Sequence, residues 1–324
     1  MKPMPLKFRP LLKEKVWGGE RLREIAGREC AAGARIGESW EIVDRGEDQS
    51  VVAEGPHAGE TLGRLVREHG EALLGKRWHR AFPDRFPLLV KLIHAADTLS
   101  VQVHPDDDWT AARGLADLGK TEAWYILDAE PGAVVFKGLR PGLTRDGLRR
   151  LIAADHIEDG LLCFPVRRGD LIFLPAGTVH TTGRGVVLLE VQQNSDVTLR
   201  LHDWNRRPAR PLHVKDALEI IRFGVTAPEK ETPRRLPGAP PRERLVACDK
   251  FVIDRCRLTR PRRMKTGGAM AVISVIEGAG TAEGGGLALS LKVGDSMIIP
   301  ACLDSWKLTP QGPVTFLCST LPRA

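Results

Sequence analysis

Short runs of bulky apolar residues, separated by glycine and proline, dominate the pattern of hydrophobic and polar positions along this chain. In the first two thirds of the sequence these runs predict strands over 39–44, 87–95, 99–104, 123–128, 132–138, 169–176 and 185–193. Residues 267–308 continue the pattern with further short apolar runs and glycine turns. Close spacing and turn residues of this kind are typical of antiparallel barrels and jelly rolls rather than of a parallel sheet.

Helical periodicity interrupts the strands in the first two thirds of the chain. Apolar residues at intervals of three and four predict a helix over 61–75. Segment 105–119 opens with a proline and three aspartates, which favour a helix start. Thr144 is a candidate N-cap for a helix over 143–155, and a last helix is predicted over 213–223.

A proline-rich segment divides the chain. Residues 226–244 hold five prolines and a single large apolar residue, Leu236, which indicates a linker. We therefore predict a mainly β protein with two barrel-like domains, residues 1–225 with the helical elements and residues 245–324 without them.

A faint internal repeat relates the two predicted domains. "GDLIFLPAGTVH" (169–180) and "GDSMIIPACLDS" (294–305) share a Gly-Asp pair, a mostly apolar run and a Pro-Ala pair. Ser305 occupies the place of His180, and no histidine follows His213. We expect two related barrels, of which the second is a degenerate copy that binds no catalytic metal.

Composition narrows the classes of function. The chain has 324 residues and a net charge of +7, which favours acidic partners such as phosphorylated metabolites. Scattered basic residues and an aromatic content of 5% argue against nucleic-acid binding. Six cysteines without a CxxC pair, no signal peptide and no apolar run of membrane-spanning length predict a cytoplasmic protein with no membrane contact.

Two strands place polar residues where a core would place apolar ones. Gln102 and His104 are two residues apart, so both side chains point to one face of their strand, while Val101 and Val103 take the other. Lys120 and Glu122 repeat this spacing at the entry to the next strand.

His180 follows a sharp turn that is predicted at the end of a strand. Pro175 cannot donate to a strand ladder and Gly177 permits a tight bend, so the run 171–174 ends there and His180 opens the next segment. A histidine delivered by such a corner either serves as a metal ligand or bonds a backbone carbonyl.

Together these positions suggest a metal centre made of an amide oxygen, a carboxylate and two imidazoles. Burying so many polar groups without a partner would cost about 1–3 kcal/mol for each group. Zn²⁺ accepts such donors, and a bound water would keep the site open for catalysis. The predicted ligands are Gln102, His104, Glu122 and His180, with one zinc ion per chain.

The sequence resembles a known family at this point. The segment 169–180 matches the second motif of the cupins, G-x5-P-x-G-x2-H, and cupins are jelly-roll barrels. Over nearly its whole length the chain resembles the short bacterial form of the type I mannose-6-phosphate isomerases. The segments that carry the likeness are "FPLLVKLIHAADTLSVQVHPDD" (86–107), "GKTEAWYIL" (119–127) and "VQQNSDVTLRLHDWNR" (191–206).

The resemblance implies roles for particular residues. The family's zinc ligands fall on His104, Glu122 and His180, with Gln102 as a fourth ligand in many members. Its catalytic arginine falls on Arg200. The substrate-binding positions fall on Lys120, near the sugar, and on Ser100 and Arg206, which would hold the phosphate.

One segment departs from the family's pattern. Relatives commonly read Thr-Tyr-Arg-Val-Tyr-Asp, whereas this chain has Leu199 and His202 in place of the two aromatic residues that flank Arg200. The departure affects the pocket's shape and therefore the preferred sugar phosphate.

The implied reaction moves a proton between C1 and C2 of an open-chain sugar phosphate through an enediol. Arg200 suits the negative charge of the enediolate because its guanidinium stays protonated. A base must take and return the carbon-bound proton, and Lys120 and Asp196 are both candidates.

Two rival functions stay open from the residues alone. Two histidines and one carboxylate are also the ligands of the non-haem Fe(II) oxygenases found on cupin barrels. A sugar-phosphate-binding protein without turnover is the second rival. The sequence leaves the choice between monomer and homodimer undecided.

Overall fold

A computed structural model describes residues 1–225, 229–238 and 240–322, and most of its ordered elements are β-strands. The strands of the first part are β1 Leu6–Arg9, β2 Leu11–Gly19, β3 Ile36–Ile42, β4 Asp44–Arg45, β5 Asp48–Gln49, β6 Val51–Val52, β7 Leu88–Ala95, β8 Val101–Val103, β9 Glu122–Ala129, β10 Val134–Leu139, β11 Leu161–Pro165, β12 Leu171–Leu174, β13 His180–Thr182, β14 Val186–Gln193 and β15 Leu199–His202. The later strands are β16 Arg234–Leu236, β17 Arg242–Ala247, β18 Val252–Leu258, β19 Arg262–Lys265, β20 Ala271–Glu277, β21 Ala279–Gly284, β22 Leu287–Lys292, β23 Ser296–Ile299, β24 Ser305–Pro310 and β25 Val314–Thr320.

The helices belong to the first part of the chain, as predicted. They are α1 Arg21–Ala26, α2 Leu62–Leu74, α3 Lys76–Ala81, α4 Asp107–Ala112, α5 Arg145–Ala153 and α6 Val214–Ile220, with one 3₁₀ turn at Ile157–Gly160. No helix in the described ranges combines the length and the apolar character that crossing a membrane requires.

Four sheets form two sandwiches with the same strand order. In the first sandwich, β11-β10-β13-β8-β15 faces β12-β9-β14-β7-β3-β2. In the second, β22-β21-β24-β19 faces β23-β20-β25-β18-β17-β16, and β1 and β6 extend the larger sheet beyond β23. Each sandwich encloses an apolar cluster of its own. The prediction of a mainly β protein with jelly-roll sheets and helical insertions in its N-terminal part is therefore confirmed.

The two larger sheets share a third apolar cluster, which contains residues from both halves of the chain. The first strand takes part in the second sandwich, because Leu6 pairs with Ile298 of β23 and Phe8 pairs with Val52 of β6. Strand β1 thus crosses the predicted domain boundary and connects the two halves of the chain by strand pairing.

A buried ion-pair network also joins the halves. Arg28 bonds both carboxylate oxygens of Glu41 at 2.8 and 3.1 Å, and it reaches Asp295 of the second sandwich at 3.4 Å. It also donates to the carbonyl of Gly294 at 2.6 Å. Arg28, Glu41 and Asp295 are all buried, and Asp295 also pairs with Lys7 at 2.8 Å.

Helix α4 is shorter than the predicted helix over 105–119. Asp106 caps it by accepting a hydrogen bond from the Trp109 N–H at 3.0 Å. The chain then folds back on the helix start: Gly119 N–H donates to Asp107 at 2.7 Å, and Lys120 N–H donates to the Pro105 carbonyl at 2.8 Å. A β-carbon on Gly119 would lie 2.4 Å from the Asp106 backbone, so only glycine allows this return.

The predicted linker 226–244 is partly sheet. Of its residues, 226–228 and 239 lie outside the described ranges. Strand β16 pairs with β17 at the edge of the larger C-terminal sheet. The segment is thus attached to the second sandwich from Arg234 on, whereas Lys230 pairs with Asp170 of the first at 2.8 Å. The domain boundaries at 225 and 245 stay predictions.

Candidate metal centre and substrate site

Three neighbouring strands place a row of polar side chains on one face. In the smaller N-terminal sheet, Gln102 of β8 stands directly opposite His180 of β13 on one side and Arg200 of β15 on the other. Directly opposite residues in an antiparallel sheet project to the same face. Val101 and Val103 lie in an apolar cluster behind the sheet. The predicted two-faced pattern of β8 therefore forms.

His104, Glu122 and His180 form a buried group that can hold a metal ion, since one donor atom of each lies within 4.8 Å of the others. The Nε2 atom of His104 is 3.4 Å from Oε2 of Glu122, and the Nε2 atom of His180 is 3.1 Å from Oε1. The Gln102 amide lies 3.3 Å from Nε2 of His180. Three of the predicted ligands thus converge directly, and Gln102 borders them.

Backbone carbonyls orient both imidazoles. The Nδ1 atom of His104 lies 2.9 Å from the carbonyl of Val197, and that of His180 lies 2.9 Å from the carbonyl of Thr178. A carbonyl can only accept, so each Nδ1 carries the proton and each Nε2 presents a lone pair to the centre of the group. This is the usual arrangement of metal-binding histidines.

The Pro-Gly corner delivers His180 as predicted. Strand β12 ends at Leu174 and β13 begins at His180, with Gly177 between them at φ 83°. The Gly177 N–H donates to the His104 carbonyl at 2.8 Å, which ties the corner to the second histidine. A β-carbon here would lie 2.8 Å from the Ile220 carbonyl oxygen.

Glu122 is held in the ionised form that a divalent cation requires. Burial by itself raises the pKa of Glu122, but the Lys120 ammonium beside it holds this pKa well below its usual value. Lys120 Nζ contacts Oε2 of Glu122 and lies 3.0 Å from Nε2 of His104. Oε1 of Glu122 is buried without a hydrogen-bond partner, so an ionised carboxylate oxygen faces the two imidazoles. This donor set fits Zn²⁺.

One guanidinium nitrogen of Arg200 is hydrogen-bonded to the protein, and another has no protein partner. Its guanidinium donates to the Pro211 carbonyl at 2.8 Å, while its Nε is buried without a partner. Burial and the neighbouring Arg210 lower its pKa, and Asp203 partly opposes them. Because Arg200 stands beside Gln102 in the strand register, its side chain leaves the sheet on the face of the metal group.

The two residues predicted to hold the phosphate lie at one end of the smaller sheet, where β8 begins and β15 ends. Ser100 is buried immediately before β8. Arg206 is engaged by Asp203 at 3.1 Å, by Asp97 at 3.0 Å and by the Thr98 carbonyl. A phosphate would therefore compete with two carboxylates for this guanidinium.

Asp196 lies apart from the metal group. Its side chain is exposed and lines a surface cleft together with Arg45 and Asp117. Lys120, the other predicted base, touches two of the three metal-binding residues.

The unusual segment around Arg200 is well anchored. His202 lies 2.5 Å from Asp155 through Nε2 and packs edge-on against Trp204, with ring centres 4.9 Å apart. Leu199 joins the apolar cluster behind the sheet. The histidine thus ties β15 to the end of α5.

Sequence reasoning missed a buried charged row beside the metal group. Glu190 of β14 stands between Trp124 of β9 and Lys91 of β7. It accepts from the Trp124 indole at 2.9 Å and lies 3.5 Å from Lys91. The signal was present in the sequence, because a single lysine or glutamate interrupts each of the mainly apolar runs 87–95 and 185–193.

The second sandwich holds other residues at the corresponding points. Glu122 pairs with Leu174 in the first repeat, and Ala271 pairs with the equivalent Ile299 in the second. Gln102 pairs with His180, and Lys265 pairs with Ser305. Within the described ranges, the metal-binding group in the first sandwich is the one such cluster of His, Cys, Asp and Glu.

Comparisons with known proteins agree with this geometry. Residues 6–132 match the family model of the type I phosphomannose isomerase catalytic domain, and residues 242–318 match that of the mannose-6-phosphate isomerase cupin domain. The chain is 36% identical to mannose-6-phosphate isomerase ManA of Bacillus subtilis, over 94% of this chain and 95% of the relative. It is 33% identical to the mannose-6-phosphate isomerase of Streptococcus mutans, over 94% of each. The crystal structure of the mannose 6-phosphate isomerase from Bacillus subtilis superposes with a TM-score of 0.88 at 30% identity, covering 98% of this chain and 99% of that one.

Proposed function

This chain belongs to the type I phosphomannose isomerase family, and we propose that it interconverts mannose 6-phosphate and fructose 6-phosphate through an enediol with one zinc ion. The two family models and the curated relatives show that it is an isomerase. The zinc ion and the proton-transfer route are the proposal.

The metal assignment is carried by one observation: two imidazoles with fixed tautomers and an unpartnered carboxylate oxygen face one another in a buried space. His104, Glu122 and His180 would hold the ion, and the Gln102 amide would supply a fourth donor. When bound, zinc acts as a Lewis acid that polarises the substrate carbonyl. A buried carboxylate and two neutral imidazoles match its preferred ligands.

Arg200 supplies the fixed positive charge. The enediolate carries a negative charge that the ground-state sugar lacks, so a guanidinium aimed at it stabilises the transition state selectively. The buried, unpartnered Nε of Arg200 supports this role, because a donor without a protein partner is available to a substrate oxygen.

We assign the proton transfer to Lys120 in preference to Asp196. Lys120 is buried among the metal-binding residues, whereas Asp196 is exposed in a separate cleft. We further propose that Ser100 and Arg206 bind the phosphate, with Arg206 exchanging its contact to Asp97 for the substrate. Charge-assisted hydrogen bonds to a phosphate are strong enough to support such an exchange.

The experiment is a coupled assay that converts mannose 6-phosphate to fructose 6-phosphate, run with metal analysis of the same preparation. We expect chelation to abolish turnover and added Zn²⁺ to restore it. Full activity in metal-free protein would contradict the zinc assignment. Iron as the bound metal together with O₂ consumption would instead favour the oxygenase that the same ligand set permits.

We also propose a cytoplasmic location, which the six cysteines support. None of the six, all of which lie in the described ranges, forms a disulfide. Reduced thiols are typical of a reducing compartment.

A further inference from the structure

Strand β15 contains a bulge between its two polar side chains, Arg200 and His202. Arg200 stands opposite Gln102 of β8 and His202 stands opposite Val101, so two steps along β15 match one step along β8. Such a bulge turns the side chains that follow it to the other face of the sheet. His202 therefore faces the apolar cluster behind the sheet, where Val101 lies, while Arg200 faces the metal group.

The turn that follows β15 is strained. Trp204 has a φ of 55° and Asn205 a φ of 51°, and Asp155, just after α5, has a φ of 62°. These three are the non-glycine residues with a positive φ in the part of the chain that the structure describes. Residues with a β-carbon adopt such angles at an energetic cost, so the conformation persists only where surrounding contacts hold it.

His202 holds this turn from inside the protein. Its Nδ1 accepts the Trp204 N–H at 3.2 Å, so its proton is on Nε2, which donates to Oδ1 of Asp155 at 2.5 Å. The other carboxylate oxygen of Asp155 accepts from the side-chain amide of Asn205 at 2.6 Å. The hydrogen bonds from His202 and Asn205 lower the pKa of Asp155, which keeps it ionised as an acceptor. One network centred on the buried imidazole thus joins all three left-handed residues.

The same turn is bonded on its other side to the segment before β8. The Trp204 indole donates to the Leu99 carbonyl at 2.6 Å, and the Arg206 guanidinium donates to the Thr98 carbonyl. Ser100 is the next residue of that segment. The conformation of the turn therefore determines where Arg206 lies relative to Ser100, the other residue proposed to bind the phosphate.

Arg206 needs a fixed backbone if it is to bind a phosphate. Its guanidinium already contacts Asp203 at 3.1 Å and Asp97 at 3.0 Å. A phosphate has to replace one of these carboxylates, and a guanidinium on a loose turn would follow whichever carboxylate holds it. A donor that is held in place before the ligand arrives loses less conformational entropy on binding.

We propose that His202 is a positioning residue for the phosphate of the substrate. By holding Trp204 and Asn205 in their left-handed conformations, it fixes Arg206 beside Ser100. Because its ring faces the back of the sheet, His202 acts through Arg206 and does not touch the sugar. This inference rests on the proposed role of Arg206 in binding the phosphate.

The test uses the full, metal-loaded chain and inorganic phosphate, which probes the phosphate site as a competitive inhibitor of the coupled assay. His202→Ala removes both hydrogen bonds of the imidazole. Asp155→Ala removes only the outer partner; because this side chain is 55% exposed, its loss leaves the fold intact, and the variant serves if His202→Ala does not fold. His156→Ala is the matched control, since it removes an exposed imidazole beside Asp155 whose partner is Asp159.

We expect His202→Ala to raise both the KM for mannose 6-phosphate and the inhibition constant of phosphate about tenfold, the scale of one lost charge-assisted hydrogen bond. Neither kcat nor metal content should change, because the metal group lies on the other face of the sheet. Asp155→Ala should raise both constants by less, and His156→Ala should change neither. In a chain that already carries Arg206→Gln, His202→Ala should raise the inhibition constant no further, since two changes that act through one contact are not additive.

The inference is overturned if both His202→Ala and Asp155→Ala leave the phosphate inhibition constant unchanged, or if the effects of His202→Ala and Arg206→Gln add in full. A fall in kcat or metal content without a change in that constant would also contradict it, because it would show a merely structural role. Arg206→Gln on its own tests the underlying proposal. An unchanged inhibition constant in that variant would show that the phosphate binds elsewhere, whereas a raised constant there with none in His202→Ala would contradict the positioning role alone.

Discussion

In the first sandwich, Trp124, Glu190, Lys91 and Trp40 form one row across four strands; in the second, the row at the same place is Ile273, Cys318, Asp254 and Arg244. The strands correspond one to one, yet the charges differ: the positions of Glu190 and Lys91 hold Cys318 and Asp254 in the second sandwich. The first interior sets lysines among glutamates, and the second sets arginines around one aspartate.

This difference separates what the fold determines from what the side chains determine. The shared strand order puts the same backbone positions around each interior, because the register of neighbouring strands fixes which residues face inward. The presence of a donor set that can hold a metal then depends on a few substitutions at those positions. Ala271 in place of Glu122 and Ser305 in place of His180 are enough to remove the donor set.

The largest effect should come from removing a metal ligand. We expect His104→Ala or His180→Ala to lose the bound metal and to lower turnover about a thousandfold or more, because the Lewis acid contributes several kcal/mol. Ser305→Ala, the matched change in the second sandwich, should alter neither metal content nor rate. Metal analysis and the coupled assay measure both, and full metal occupancy in either histidine variant would refute the site.

The next effect concerns the network that joins the sandwiches. Arg28→Met leaves Glu41 and Asp295 buried without their arginine, and we expect the free energy of unfolding at pH 7 to fall by about 3–5 kcal/mol. Arg64→Met, which breaks an exposed pair with Glu68, should change stability little. Denaturant unfolding measures both variants, and equal stability would show that the network does not couple the halves.

The same variant has an expected pH dependence. Burial raises the pKa of Glu41 even though Arg28 opposes the rise, so removing Arg28 raises it further. An acid whose pKa is higher in the folded chain than in the unfolded one destabilises the fold once it ionises. The penalty of Arg28→Met should therefore shrink as the pH is lowered from 7 towards 5, and a penalty that grows over this range would contradict the burial of Glu41.

Arg200 lies on a strand that the second sandwich lacks: β15 pairs with β8 in the first sandwich, and no strand occupies that place beside β19 in the described part of the second. Arg200→Lys keeps a positive charge but loses the planar fork. If Arg200 acts on the enediolate, kcat should fall by roughly 10²–10³-fold, with a much smaller change in KM and no change in metal content. A rise in KM alone would show that Arg200 holds the phosphate instead.

The smallest effect should come from the corner before His180. Gly177 has a positive φ that non-glycine residues adopt at a cost of about 1–2 kcal/mol. Gly177→Ala should therefore lower stability by at least about that amount, since its β-carbon would also lie 2.8 Å from the Ile220 carbonyl oxygen, and should weaken metal retention. Cys302 holds the equivalent place in the second repeat, and Cys302→Ala should leave metal retention unchanged. Thermal unfolding and metal analysis distinguish the two, and equal behaviour would show that the corner is not special.

The sequence predicted the features that local spacing encodes. Gln102 and His104 stand out because strands alternate faces, and the Pro175–Gly177 corner is a local turn signal. The predicted N-cap at Thr144 also forms, since capping involves residues only three apart. These features need no knowledge of distant partners.

Features that depend on distant partners were not predictable in this way. The early end of α4 follows from the return of Gly119 to Asp107. The row of Glu190 and Lys91 follows from the pairing of two strands about a hundred residues apart.

The pairing of Leu6 with Ile298 has a consequence for how the chain is made. A ribosome releases β1 and its neighbour β6 long before β23 exists, so β1 waits through the synthesis of the intervening residues without its second sheet partner. Contacts between the two ends of a chain also carry a high loop-closure entropy and slow the final step of folding. The larger C-terminal sheet is thus completed by residues that emerge long before its other strands, and a nascent chain halted before β23 would leave the Leu6 edge of β1 without its partner strand.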